Sequence, residues 1–119
     1  MSKVDPIIVK DNDTGKEYTL EFNRDSVTKA EDNGFSLQEL GKYPSKLYDL
    51  WHYAFYMHHN RAFVTRELTR RKTDEMLDAI GGAMDAPEGL WERLGELYAQ
   101  AYKTLVDGDG KNGRVTVTF

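Results

Sequence analysis

The histidines of this chain lie close together, within "LYDLWHYAFYMHHNRA", Leu47 to Ala62. Imidazoles are common metal ligands and general bases, so this stretch is where chemistry is sought first. Its spacing argues against chemistry. His52 and His59 are seven residues apart, so on one helix they share a face yet lie about 10 Å apart along the axis. His58 and His59 are adjacent and diverge by about 100°. Neither spacing is the i, i+4 pair with which a helix holds zinc. Asp49 and His52, at i and i+3, can meet locally, but such a pair is usually just a hydrogen bond. The expectation is that the histidines pack or lie on the surface, with no metal ligand and no catalytic residue among them.

The other motifs fail on position. "DGDGKNG" has the look of a calcium loop. Counted from Asp107, however, Lys111 takes the fifth position, Asn112 stands where glycine is required, and Thr118 replaces the bidentate glutamate. Shifting the register so that Gly110 is the required glycine puts Leu105 at the first ligand position. Ser26, Ser36 and Ser45 lie in no G-x-S-x-G context, and no glycine loop follows a strand to cradle phosphate. Without cysteine there is no disulfide, thiol nucleophile or Cys-based zinc site. No spacing singles out a pair of carboxylates. The chain is expected to be non-enzymatic and to use no cofactor.

Charge is the next discriminator. The net charge of −4 argues against a general nucleic-acid binder. Residues 61–72 are the exception, with five basic groups and one acid. This island is either a patch for an acidic partner or DNA, or a self-compensated helix surface. Arg70 with Asp74 and Arg71 with Glu75 are i, i+4 pairs, in the weaker base-before-acid order. The alternatives to a binding role are thus built into the same segment.

Elements must position these residues. "PIIVKDNDTGKEYTLEF" predicts a β-hairpin: Ile7 and Val9 share a face, as do Tyr18, Leu20 and Phe22, around an "NDTG" turn. "NRDSVTKAEDNG" predicts a short helix capped by Asn23 or Asp25 and ended by Gly34. Ser36 and Glu39 fit a capping box inside a Phe35–Leu40 staple. Pro44 suits the first turn of a central helix carrying Leu47, Leu50, Trp51, Ala54, Met57 and His58, breaking near Asn60. A helix from about Thr65 to Ile80 follows, with Leu68, Met76, Leu77 and Ile80 inward, stopped by Gly81–Gly82. Asp85 and Glu88 suggest another capping box. Leu90, Leu94, Leu97, Tyr98, Ala101 and Leu105 then mark an amphipathic helix, with Trp91, Gly95, Tyr98 and Tyr102 as a second stripe where Gly95 admits a close neighbour. Val115, Val117 and Phe119 alternate with threonines as a short strand or tail. At 119 residues, with 39% hydrophobic and 30% charged, the chain suits one packed domain. Residues 1–106 are assigned to that domain and 107–119 to a glycine-rich linker with the terminal strand. No apolar run is long enough to span a membrane, and "MSKVDPIIVKD" lacks a signal peptide's apolar segment.

The order hairpin, "NRDSVTKAEDNGFSLQEL", "YPSKLYDLWHYAFYMHHN" resembles the small phage and prophage tail assembly chaperones. The resemblance rests on a D-S-V-x-x-A-E-x-x-G-F type segment, here Asp25 to Phe35, followed by L-x-x-L-x-x-x-A-x-x-x-H-H, here Leu47 to His59. It covers roughly residues 6–82, in pattern more than identity, and not the basic island or the C-terminal strand. It implies a non-enzymatic protein in the bacterial host's cytoplasm that coats the phage tail tape-measure protein before the tube assembles, with the major tail protein as a second partner. It also implies that a longer form can arise by ribosomal frameshifting.

The resulting expectation is an α+β fold, an N-terminal hairpin packed on a small helical bundle, with a C-terminal strand able to join the sheet. Protein-interaction candidates are Tyr53, Tyr56, Trp91, Tyr98 and Tyr102, rimmed by Arg66, Arg70 and Arg71, with self-association as a further expectation. The alternative is a small phage-encoded DNA-associated regulator using residues 61–72.

Overall fold

In the computed structural model, which describes residues 3–59, 69–107 and 114–119, the first alternating stretch is an antiparallel hairpin of β1 (Ile7–Lys10) and β2 (Glu17–Leu20). Its register pairs Ile7 with Leu20 and Val9 with Tyr18. One face therefore collects Ile7, Val9, Tyr18 and Leu20 toward the core, and Phe22 extends that line beyond β2. The turn closes through Asp11 N–H to the Lys16 carbonyl (2.8 Å) and Gly15 N–H to the Asp11 carbonyl (2.7 Å). Gly15 adopts φ 77°, the left-handed geometry such a turn requires.

α1 (Arg24–Asp32) begins at a reciprocal capping box. Asn23 Oδ1 accepts from Ser26 N–H and Ser26 Oγ accepts from Asn23 N–H, both at 2.9 Å. The two other anticipated boxes do not form. Ser36 precedes a single 3-10 turn, Leu37–Glu39, and its side chain makes no capping bond. Asp85 ends a short helix instead of starting a long one.

Pro44 occupies the first turn of α2 (Pro44–Ala54) as expected. The central helix then breaks at Phe55, earlier than Asn60, and resumes as α3 (Tyr56–His59). Phe55 is fully buried at the break, edge-on to Trp51 and Tyr18. Packing of that ring, rather than a breaker residue, marks the bend. α4 (Arg70–Ala79) is capped by Thr69, whose Oγ1 accepts from Lys72 N–H. The anticipated stretch Thr65–Leu68 lies outside the described residues.

α4 stops at Gly81 and Gly82, and α5 (Gly82–Asp85) follows at once. Gly81 has φ 122°, and a Cβ there would stand 2.2 Å from the Asp85 carbonyl oxygen, so only glycine fits. α6 (Leu90–Asp107) is the longest element, starting just after Gly89. α1 packs on α2 and α6, and α2 packs on α4, α5 and α6. Leu20, Val27, Leu50, Trp51, Phe55, Leu77, Leu94 and Leu97 form the centre of one core. The fold is α+β, as the sequence predicts.

Of the two readings of the C-terminus, strand or tail, the described residues have the tail. Among the described residues the sheet has two strands, and residues 115–119 belong to none. Alternation alone does not make a strand; it needs a neighbouring edge to bond with. Here Val115, Val117 and Phe119 are 83%, 71% and 115% exposed.

Candidate functional site

Each histidine ties α2–α3 to another element. His59 Nε2 accepts from the Thr19 N–H of β2 at 3.1 Å, which places the ring proton of the neutral form on Nδ1. Its ring stands edge-on to Tyr18, 5.1 Å between centroids. His58 Nε2 lies 3.0 Å from Oε1 of Glu21, a buried carboxylate that also meets Lys3 Nζ at 3.5 Å. His52 Nδ1 lies 2.8 Å from Thr73 Oγ1. That hydroxyl gives its proton to the Arg70 carbonyl (3.0 Å), so His52 Nδ1–H is the donor in this pair. The three rings thus secure β2 and α4 against the central helix.

Asp49 joins Arg70. Its Oδ1 accepts from Arg70 Nη2 at 2.8 Å, while Arg70 Nε donates to Asp74 Oδ1 at 2.9 Å. Burial works against the guanidinium charge, but bonds and charge from Asp49 and Asp74 outweigh it and raise its pKa. Arg71 Nε donates to Glu75 Oε1 at 3.3 Å on an exposed surface, a pair of small energetic weight. Both anticipated i, i+4 pairs are present, so the described end of the basic island is charge-compensated. Arg66 and the rest of residues 61–68 lie outside the described residues.

The aromatic candidates separate by burial. Tyr53 and Tyr98 are not partner-facing: they are 9% and 2% exposed and belong to the core. Burial raises both phenol pKa values, with nearby Asp49 adding to the effect at Tyr53. Tyr98 is pushed up to about 12, burial first and the Glu31 charge second. Its ring meets Phe22 and Phe35 edge-on, each at 5.1 Å. Aromatic-rich helices such as α2 and α6 most often mean core in sequence, with an interface as the alternative, and here the neighbours of both rings decide for core. Tyr56 is half-buried, and half-buried Trp91 donates its Nε1–H to the Ala83 carbonyl at 2.9 Å. Gly95 receives no close neighbour: among the described residues, nothing stands within 4 Å of a Cβ placed there.

Tyr102 alone of these aromatics is well exposed, stacked near-parallel on Tyr98 at 6.4 Å. With it, at i+3 and i+4, come Leu105 and Val106, giving exposures of 44%, 42% and 66% along one stripe. Leu105 is therefore surface, not core, and Val106 is a residue the sequence reading passed over. The reason is length. α6 has 18 residues, whereas α1 and α2, which flank it, have 9 and 11. Among the described residues, its last turn outruns its cover. A groove of about 360 Å³ continues this surface between Phe35, Leu37 and the Tyr98–Tyr102 pair.

A second groove, of about 500 Å³, runs beside β1, where Ile7, Val9, Ile80 and Leu90 line it. It adjoins a third, of about 360 Å³, that shares Val9, Lys10 and Ile80 and ends at Asp11 and Lys72. Among the described residues, no group of three or more His, Asp or Glu side chains is arranged to hold a metal, and no helix is long and apolar enough to cross a membrane.

Neither the curated proteins nor the solved structures contain a match to this chain. A family described as a domain of unknown function, DUF5055, matches residues 1–119. That match runs the length of the hairpin, the bundle and the tail alike, and the chain belongs to this family.

Proposed function

We propose that this protein is a tail assembly chaperone that acts by binding the tape-measure protein of a long-tailed phage or prophage in the host cytoplasm. The resemblance of Asp25–Phe35 and Leu47–His59 to that family suggests the reading. The observation that carries it is the exposed stripe Tyr102, Leu105 and Val106 on the uncovered end of α6. Residues at i, i+3 and i+4 are the pattern by which one helix docks on another. A tape-measure protein is a long helical partner, so a chaperone needs shallow apolar contact repeated along it, not a deep polar pocket. The groove at Phe35 and Leu37 widens that contact. The histidines and the Arg70 cluster are engaged in holding elements together, and they enter the reading as scaffold.

Co-expression with the tape-measure protein of the same phage or prophage is the test. The partner is expected to become soluble and to carry several copies of this chain. Leu105→Asp and Val106→Asp, both at exposed positions, should leave the fold intact by circular dichroism and abolish the complex. If the long partner stays insoluble and no complex is recovered across salt and expression ratios, the reading fails.

A further inference from the structure

The edges of the hairpin are unlike. Thr19 N–H and Glu21 N–H turn away from β1, one to His59 Nε2 and the other to the Ala54 carbonyl (3.0 Å). Antiparallel pairing alternates, so the residues opposite the outward-turned ones also turn outward. With Ile8 opposite Thr19 and Lys10 opposite Glu17, the N–H and C=O groups of Ile8 and Lys10 face away from β2. Among the described residues no strand pairs with that edge. The long groove described above lies along it, with an apolar floor at Val9, Ile80 and Leu90.

The same chain carries a segment suited to this place. In "RVTVTF", Val115, Val117 and Phe119 alternate with Thr116 and Thr118, and the apolar members are nearly bare to solvent. Laid against β1, such a strand turns Val115, Val117 and Phe119 to the floor shared with Ile7 and Val9. The threonines then stand beside Ile8 and Lys10 on the solvent side, where β-branched polar residues suit a sheet.

Reach decides whose tail it is. The groove begins at Leu90 and Arg93, at the start of α6, and the tail follows the other end of that helix. Leu90 to Asp107 spans about 26 Å at 1.5 Å per residue. The links from Asp107 to Arg114 cover at most about 25 Å when fully stretched. A chain reaching back to its own groove would need its connection drawn taut, whereas a neighbouring chain has no such constraint. We infer that residues 114–119 of one copy add as a strand to the β1 edge of a second copy, seated in the groove between β1 and the α4–α6 side. Reciprocal exchange closes a two-fold dimer, and one-way exchange builds a row.

Sedimentation equilibrium of the full chain alone, from low micromolar to millimolar concentration, tests this without any other protein. The expected mass rises from one 13.7 kDa chain toward twice that or more. Val117→Asp removes the donor strand at an exposed position. Lys10→Pro blocks the acceptor edge while sparing the β2 ladder, because the Lys10 N–H points outward. Each variant alone should stay monomeric, and mixing the two should restore a two-chain species, since each keeps the half the other lacks. A free RVTVTF peptide should return the unsubstituted chain to monomer, a measurement that holds even if Lys10→Pro fails to fold. A monomer at every concentration, self-association that Val117→Asp leaves untouched, or no effect of the peptide would each overturn the inference. Failure of the tape-measure experiment leaves it standing.

Discussion

β1 and β2 share one hairpin but have different surroundings. β2 is sealed: Tyr18 and Leu20 are in the core, the outward Thr19 N–H is taken by His59, and the Glu21 N–H just past the strand is taken by the end of α2. β1 is half-sealed: Ile7 and Val9 are partly buried, Ile8 is 58% exposed, and its outer edge borders a groove. The lesson is that a two-strand sheet, marginal by itself, becomes part of a domain when helices finish one of its edges. The histidines that invite a catalytic reading do part of that finishing.

Substitutions under β2 should have the largest effects. Trp51 is fully buried, edge-on to Phe55, and donates its Nε1–H to the Thr73 carbonyl at 2.8 Å. Trp51→Ala should cost about 3–5 kcal/mol, and Leu20→Ala about 2–5 kcal/mol, by urea unfolding at unchanged slope. Small losses at both would mean that β2 is not the sealed side. Next comes the Tyr98 ring, which packs against Phe22 at the end of the β2 line. Its folded pKa of about 12 stands above the ordinary value of 10.0. Stability tied to the neutral phenol is therefore complete below pH 10 and lost as pH rises toward 12. Tyr98→Phe should flatten the alkaline limb of the stability–pH curve, and an unchanged limb would assign alkaline unfolding to other groups.

His59→Ala comes third. It removes the acceptor for Thr19 N–H and should cost about 1–3 kcal/mol. His58 lies on a more exposed side chain, and His58→Ala should cost less. Equal losses would show that the Glu21 contact secures β2 as much as the backbone bond does.

These contrasts bear on what the sequence could convey. The hairpin, Gly34, Pro44, the Asn23 cap and the buried face of α2 were legible, because period-two and period-3.6 patterns and cap chemistry are local. The bend at Phe55 was not, since the buried ring there packs on Tyr18 of β2, distant in sequence, as well as on Trp51. Tyr53 and Tyr98, named as interaction candidates, prove to be buried for the same kind of reason. An aromatic stripe says that a face is apolar, not whether another element covers it. Leu105 failed in the opposite sense, as a core pattern running past the helices that could cover it. His52 seemed paired with Asp49 by spacing, but Thr73 and Arg70 reach those groups from α4, some 20 residues on. Geometry within one helix could weigh the spacing of the histidines, yet it could not name their partners.

The smallest expected effect falls on β1 and tests the comparison most finely. Ile8 and Ile7 are neighbours in sequence with the same side chain, and alternation sends them to opposite faces. Ile7 sits opposite Leu20 and packs against the core, whereas Ile8 sits opposite Thr19 and is exposed. Ile8→Thr keeps the β-branch, removes little buried area, and should change stability by no more than about 0.5 kcal/mol. Ile7→Thr makes the same chemical change against Leu20 and should cost clearly more. Both are to be measured at low protein concentration, so that contacts between copies do not contribute. If Ile8→Thr proves the costlier, β1 is shifted by one residue. Its outward edge would then carry Ile7 and Val9, and the apolar floor of the groove would have to be redrawn.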